Sequence, residues 1–121
     1  MNEADTCRTY VVPLLQAAGW DTAPRRINEQ VTFTDGRIIP VGQQIRRGKQ
    51  KRADYLLRYT RDFPIAVVEA KAEYKTAGAG LQQAKEYAEI LGLYFAYATN
   101  GLGIVEFDFL SGQERERHDF P

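Results

Sequence analysis

The sequence predicts one α/β domain in which a mixed β-sheet is flanked by α-helices. A stripe of apolar residues at helical spacing opens the chain, several strand patterns with short turns follow, and a second helical stripe precedes the last strands. Of the 121 residues, 44% are hydrophobic, which suffices for a single packed core. We place the domain at residues 1–110. Residues 111–121 are expected to be a polar, poorly ordered tail or the start of a linker to a further domain.

The first element is a helix over about residues 3–18. Gly19 is expected to end it, and Pro13 to kink or restart it, because proline lacks the N–H that an internal helical position donates. Its apolar stripe consists of Cys7, Val11, Leu14, Leu15 and Ala18. Cys7 is therefore expected to be a core residue and not a nucleophile.

The next elements are a hairpin and a basic loop. Strand patterns at 31–34 and 37–39 are joined by Asp35-Gly36, a dipeptide that suits a two-residue hairpin turn. Residues 42–52 have no apolar period and many lysines and arginines, which indicates a surface loop.

Two central strands are predicted at 53–59 and 65–71, and their short connector indicates an antiparallel pair. If the turn is centred between Arg61 and Asp62, paired positions sum to 123, and Asp54 lies opposite Glu69. A helix at 81–91 follows, with strands at 93–98 and 104–109 around a turn at 100–101.

The formal net charge is zero, but the charges are unevenly distributed. Residues 25–61 contain ten basic and three acidic side chains, so this stretch carries +7 and the remainder carries −7. Such an asymmetry indicates a face for a polyanion. A basic surface loop without any partner is the alternative.

Several protein classes are excluded by the sequence. A single cysteine allows no internal disulfide, and no Cys/His spacing typical of zinc sites is present. No apolar run reaches the length of a membrane span, and the polar residues 1–9 do not resemble a secretory signal. No phosphate-loop motif occurs, so we expect no ATP site in this chain. These features favour a cytoplasmic protein.

Charged residues close the most apolar strand. Glu69 and Lys71 share one face about 7 Å apart, since strand residues rise about 3.3 Å each. Asp54 adds a second carboxylate across the strand pair. Paired strands are about 4.8 Å apart, and two carboxylates at that separation repel unless a cation lies between them. Their hard oxygens suit Mg²⁺, or Mn²⁺ in its place. The Ala70 carbonyl is a further candidate ligand.

Lys71 would stand beside such a metal. There its charge can orient and deprotonate a water, or stabilise charge that builds on a phosphate. The alternative is a salt-bridged strand end, in which Glu69 pairs with Lys71 or Asp54 with Arg58.

The pattern Asp54 with Glu69-Ala70-Lys71 resembles the active-site signature of the PD-(D/E)XK nuclease superfamily, although Ala53 replaces the proline. Gln83 and Tyr87 follow with the spacing of the Gln-x-x-x-Tyr motif in the motor (R) subunits of type I restriction enzymes. Residues 51–56, 67–72, 98–101, 2–4 and 18–20 also resemble the N-terminal nuclease domain of those subunits, so the resemblance covers about residues 3–110.

This resemblance implies a restriction-endonuclease-like fold and a Mg²⁺-dependent endodeoxyribonuclease without its own sequence specificity. It implies catalytic roles for Asp54, Glu69, Lys71, Gln83 and Tyr87, and it allows Glu3 as a third acidic ligand. Its implied partners are double-stranded DNA, a helicase motor domain, and methyltransferase and specificity subunits outside this chain. The basic residues before Asp54 would contact DNA phosphates; they are Arg46, Arg47, Lys49, Lys51 and Arg52.

Two other functions remain open from the sequence. The chain could be a catalytically silent DNA-binding or docking module of the same complex. It could also be an interaction domain that binds another protein through its basic face.

Overall fold

The computed structural model describes residues 7–34, 37–38, 51–60, 62–72 and 74–121. A π-helical turn, Cys7–Val11, leads into helix α1, Val12–Ala17. The second helix, α2, spans Leu81–Leu91. The strands of the described ranges are β1 (Arg26–Thr34), β2 (Arg37–Ile38), β3 (Lys51–Thr60), β4 (Phe63–Ala70), β5 (Phe95–Thr99), β6 (Ile104–Asp108) and β7 (Gln113–Arg117).

These strands form one mixed sheet in the order β2-β1-β3-β4-β5-β6-β7. Strands β4 and β5 are parallel and α2 connects them, whereas every other neighbouring pair is antiparallel. The predicted α/β class with a mixed sheet is therefore confirmed. Neither helix of the described ranges is long and apolar enough to cross a membrane.

Pro13 shapes the first helix as the sequence indicated. It occupies the first turn of α1, where its missing N–H costs no helical hydrogen bond, and the wider π-helical turn lies directly before it. Gly19 has φ +87°, a left-handed conformation that suits glycine, and the helix ends there as predicted. Residues 3–6 of the predicted helix lie outside the described residues.

The predicted strand registers are found in the sheet. Thr34 pairs with Arg37, which leaves two residues for the turn of the first hairpin. In the central hairpin Tyr55 pairs with Val68, and the neighbouring pairs likewise sum to 123. Irregularities in this register occur only towards the turn, beyond Leu57.

The prediction that residues 42–52 form a loop is wrong for its last two members. Lys51 and Arg52 belong to β3, where they pair with Phe33 and Thr32 of β1. Backbone pairing with β1 makes β3 begin two residues before position 53, where the side-chain pattern predicted its start. The remainder of the predicted loop lies outside the described residues.

The sheet buries both of its faces. On one face, side chains of the first helical segment and the C-terminal segment pack on β3, β4 and β5; the buried ones include Val11, Leu15, Trp20, Tyr55, Leu57, Val68, Tyr97 and Phe120. On the other face, α2 packs through the apolar stripe predicted for it; this layer includes Leu56, Val67, Ala84, Tyr87, Ala88 and Ala96. The helix occupies the predicted bounds, 81–91.

The C-terminal segment is ordered, so the prediction of a poorly ordered tail at 111–121 is wrong. Strand β7 pairs with β6, and Phe120 packs edge-on against Tyr97 with ring centroids 5.4 Å apart. The Trp20 indole N–H donates a hydrogen bond of 2.8 Å to the Pro121 carbonyl. The polar sequence of β7 hid this strand, because its order comes from backbone pairing and ion pairs. The position of a boundary to any following domain stays a prediction.

Candidate active site

Asp54 and Glu69 face each other across the central hairpin. The Ala70 N–H donates to Asp54 Oδ2 at 2.8 Å, and the Asp54 N–H donates to Glu69 Oε1 at 3.3 Å. Each carboxylate thus binds the backbone of the opposite strand. These reciprocal bonds hold the two acidic groups at one place, as the predicted register requires.

Glu69 is one of the few charged residues buried in the described part of the chain, with 4% of its surface exposed. Burial, together with the charge and the side-chain hydrogen bond of Asp54, raises the pKa of the Glu69 carboxyl to about 9, although the hydrogen bond from the Asp54 backbone N–H and the nearby Lys71 charge act in the opposite direction. A buried acid that faces a second acid is costly for a fold. A cation bound between the two would relieve this cost.

The donor set of this pair fits a hard divalent cation. Carboxylate oxygens with carbonyls and waters are the usual ligands of Mg²⁺ and Mn²⁺. Within the described residues, no group of three or more His, Cys, Asp or Glu side chains is placed to hold a metal ion. Further ligands would therefore include the Ala70 carbonyl or water, and Glu3 lies outside the described residues.

Lys71 lies beside the pair, and its side chain passes close to Gly80, which directly precedes α2. A β-carbon on Gly80 would lie 3.3 Å from Glu69 Cβ and 3.4 Å from Lys71 Cε. The Lys71 N–H donates to the Thr99 carbonyl at 2.9 Å, which continues the pairing of β4 with β5. Gly80 was not identified from the sequence; its place just before a predicted helix was the available signal.

Gln83 and Tyr87 are neighbours on α2, as their spacing predicted. Gln83 Nε2 donates to the Tyr87 hydroxyl at 2.7 Å. Tyr87 is 7% exposed and packs edge-on against Phe33, with ring centroids 4.9 Å apart. This burial favours a role in fixing Gln83 over direct contact with DNA. Gln83 lies three residues after Gly80, a rise of about 4.5 Å along the helix axis. It is therefore in the N-terminal turn of α2, the end of the helix that lies near Lys71.

The predicted DNA-binding residues are only partly described. Lys51 is half-buried and Arg52 is exposed, and both precede Asp54 on β3. They therefore share a strand with one acid of the pair. Arg46, Arg47 and Lys49 lie outside the described residues.

The ion pairs that the structure describes are made by a different acid, Glu106, with Arg115 at 3.7 Å and Arg117 at 3.6 Å. A Glu69–Lys71 salt bridge is not among them. Glu106 also accepts a 2.7 Å hydrogen bond from the Tyr97 hydroxyl. The sequence did not indicate this second cluster, since its members come from three strands.

No protein-family model matches the chain. The chain is 39% identical over 105 residues to the type I restriction enzyme EcoAI endonuclease subunit of Escherichia coli. The aligned region is 87% of this chain and 13% of that protein. A solved fragment structure of a protein assigned as an HsdR subunit of a type I restriction enzyme, from Vibrio vulnificus, matches with 62% identity and a TM-score of 0.87. That match covers all of this chain and 24% of the other.

These relatives confirm the resemblance to type I restriction enzyme R subunits, and with it the restriction-endonuclease-like fold. The chain spans 13% and 24% of the lengths of the two relatives. It is therefore similar to a small part of each of them.

Proposed function

We propose that this chain, a homologue of part of type I restriction enzyme R subunits, is a Mg²⁺-dependent endodeoxyribonuclease domain of the PD-(D/E)XK type. It would hydrolyse DNA phosphodiester bonds without sequence specificity of its own. The observation that supports this most is the facing pair Asp54 and Glu69 with Lys71 beside it. A buried glutamate that faces a second, partly buried acid destabilises the fold, and such pairs are typical of functional sites.

Asp54 and Glu69 would hold the metal, and the Ala70 carbonyl and the Glu3 carboxylate are the other candidate ligands. When bound, Mg²⁺ supplies positive charge that stabilises the transition state of phosphodiester hydrolysis. The hydrogen bonds from the Ala70 and Asp54 amides keep the two carboxylates in place before the metal arrives. Such preorganisation lowers the cost of assembling the site.

Lys71 and Gln83 act on the water and the phosphate. The Lys71 ammonium donates hydrogen bonds to the attacking water or to a phosphate oxygen, and it stabilises the negative charge that develops there. The Gln83 side chain orients the water or the phosphate. Tyr87 keeps the Gln83 amide in one rotamer through their 2.7 Å hydrogen bond.

DNA would be held by the basic residues that precede Asp54, from Arg46 to Arg52. Contacts to phosphates position a duplex but carry no base sequence, so specificity would come from other subunits. A helicase motor domain and methyltransferase and specificity subunits are the proposed partners, and the cytoplasm is the proposed location. The much greater length of the relatives supports the proposal of a further domain in the same polypeptide.

A Mn²⁺ titration by calorimetry, with a short DNA duplex present, tests the metal site directly. We expect saturable Mn²⁺ binding in the wild-type chain and its loss in Asp54→Asn. Glu89→Gln, which changes an exposed acid on α2, is the matched control and is expected to bind as the wild type does. Metal binding suits this test because cleavage by this chain alone could require the other subunits.

Two results would contradict the proposal. Identical titrations for wild type and Asp54→Asn would mean that the acidic pair is structural. The absence of any binding would have the same meaning, and the catalytically silent DNA-binding or docking module would become the better hypothesis.

A further inference from the structure

The loop between β4 and α2, residues 71–80, begins and ends at the candidate active site. Its first residue, Lys71, stands beside Glu69, and its last, Gly80, lies so close to both side chains that a β-carbon there would be within 3.4 Å of each. We call this segment the crossover loop. Residue 73 of the loop lies outside the described residues.

The turn between β5 and β6 holds the crossover loop from its other side. A β-carbon on Gly103 would lie 3.2 Å from Ala77 Cβ, and one on Gly78 would lie 3.6 Å from Val105 Cγ2. Asn100 Nδ2 donates a 2.7 Å hydrogen bond to the Lys75 carbonyl. The described part of the loop therefore lies against the β5–β6 segment at Lys75, Ala77 and Gly78.

Asn100 joins the two segments through one side chain. Its Oδ1 accepts the N–H groups of Leu102 at 2.9 Å and Gly103 at 3.0 Å, while its Nδ2 binds the loop. The residue is 9% exposed. It belongs to the Ala-Thr-Asn-Gly segment that the proposed chemistry leaves without a role.

The crossover loop carries a large aromatic side chain and a lysine into solvent. Tyr74 is 76% exposed, Lys75 is also exposed, and Lys75 Nζ lies 5.5 Å from the centroid of the Tyr74 ring. An ammonium group suits a phosphate, and an exposed ring suits stacking on a base or packing on a sugar. A nucleic-acid strand offers both chemical groups side by side.

We propose that Tyr74 and Lys75 bind the DNA strand next to the phosphate that is cut, and that Asn100 is the residue that positions them. This inference rests on the proposed nuclease function, because it takes DNA as the partner and Lys71 as the marker of the reacting phosphate. Lys75 binds a backbone phosphate of that strand, and Tyr74 packs against an adjoining sugar or unstacked base.

Fluorescence anisotropy with short labelled single-stranded and duplex DNA tests the pair, with EDTA present to prevent cleavage. Tyr74→Ala is expected to weaken binding about five-fold or more, and Tyr74→Phe to restore it, because stacking needs the ring and not the hydroxyl. Lys75→Ala is expected to reduce the slope of log K against log salt by about one. Tyr59→Ala, which removes another exposed ring, is the control and should bind as the wild type does.

Asn100→Asp isolates the positioning role. An aspartate keeps an acceptor for the Leu102 and Gly103 N–H groups but has no donor for the Lys75 carbonyl. We expect this variant to lose DNA affinity while it still binds Mn²⁺. In the Asn100→Asp background, Tyr74→Ala should cost little more, since the two changes remove the same contact.

The outcomes separate this inference from the proposed function. If the wild type binds DNA and Mn²⁺ and the Tyr74 and Lys75 variants bind DNA equally well, the pair has no such role, and the nuclease proposal is unaffected. If Tyr74→Ala and Asn100→Asp have additive effects, Asn100 does not act through the loop. If the wild type binds neither DNA nor Mn²⁺, both proposals are wrong.

Discussion

Two buried glutamates lie on the same sheet in opposite electrostatic surroundings. Glu106 is 2% exposed and contacts two arginines and a tyrosine hydroxyl. Glu69 is 4% exposed and faces the carboxylate of Asp54. The first acid is compensated by side chains of its own chain, whereas the second faces another acid, which helps to raise its pKa.

The difference separates a structural acid from a candidate ligand. Burial of a carboxylate is tolerated when cations and hydrogen bonds replace its water, as they do around Glu106. At Glu69 the fold supplies a second acid and one nearby lysine, so the raised pKa keeps the carboxyl protonated unless a further cation is bound. The surroundings of an acidic residue, more than its burial, therefore indicate which of the two clusters is suited to chemistry.

The largest expected effect concerns cleavage. Lys71→Ala should lower the rate of Mn²⁺-dependent nicking of supercoiled plasmid by about 100-fold or more, because it removes a charge beside the reacting phosphate. Its melting temperature should stay close to that of the wild type. Lys85→Ala is the control and should retain cleavage. It removes a lysine of α2 whose ammonium group lies over the ring of Phe107 on β6. If the Lys71→Ala variant nicks at the wild-type rate, the assignment of the Glu69 cluster as the active site is wrong.

The next effect is a pH dependence of stability that Glu69 should cause. Its pKa is about 9 in the folded, metal-free chain and about 4.5 as a free group, so the folded state binds the extra proton between these values. Stability should therefore fall as pH rises from 5 to 9, by at most about 1.4 kcal/mol per pH unit. Urea unfolding in EDTA at several pH values measures this slope.

Glu69→Gln is the matched variant for the pH measurement, since glutamine resembles a protonated glutamate that cannot ionise. We expect the slope to flatten in this variant and its stability above pH 7 to exceed that of the metal-free wild type. An unchanged slope would mean that another group causes the pH dependence.

The smallest effect is expected at the compensated acid. Glu106→Gln leaves Arg115 and Arg117 without their anionic partner, and both arginines are partly exposed to water. We therefore expect a loss of about 1–3 kcal/mol in the free energy of unfolding, the cost of an impaired buried hydrogen-bond network. Mn²⁺ binding should be retained at temperatures where the variant is folded. Loss of Mn²⁺ binding by the folded variant would contradict the separation of the two clusters.

The parts of the fold that could be predicted are those written into local patterns. The second apolar stripe defined α2 to the residue, and a short connector fixed the register that sets Asp54 opposite Glu69. The spacing of Gln83 and Tyr87 gave their contact, because residues four apart share a helix face. Each of these inferences uses residues that are close in the sequence.

The parts that could not be predicted depend on contacts between distant segments. Strand β7 has no apolar residue, and its order comes from pairing with β6 and from the Glu106 ion pairs. The approach of Gly80 to Lys71, and the bond from Asn100 to Lys75, exist only once the loop has folded back on the sheet. Sequence periodicity contains no information about such contacts.

The hydrogen bond from Trp20 to Pro121 joins residues 101 positions apart, whereas the bond between Asp54 and Glu69 joins residues 15 apart. The entropic cost of closing a loop rises with the length of chain enclosed, so we expect this long-range contact to form late in folding. Amide hydrogen exchange should accordingly show the C-terminal segment opening in small excursions that leave the central hairpin protected. Asp54 and Glu69 would then keep their positions in molecules whose C-terminal segment has opened.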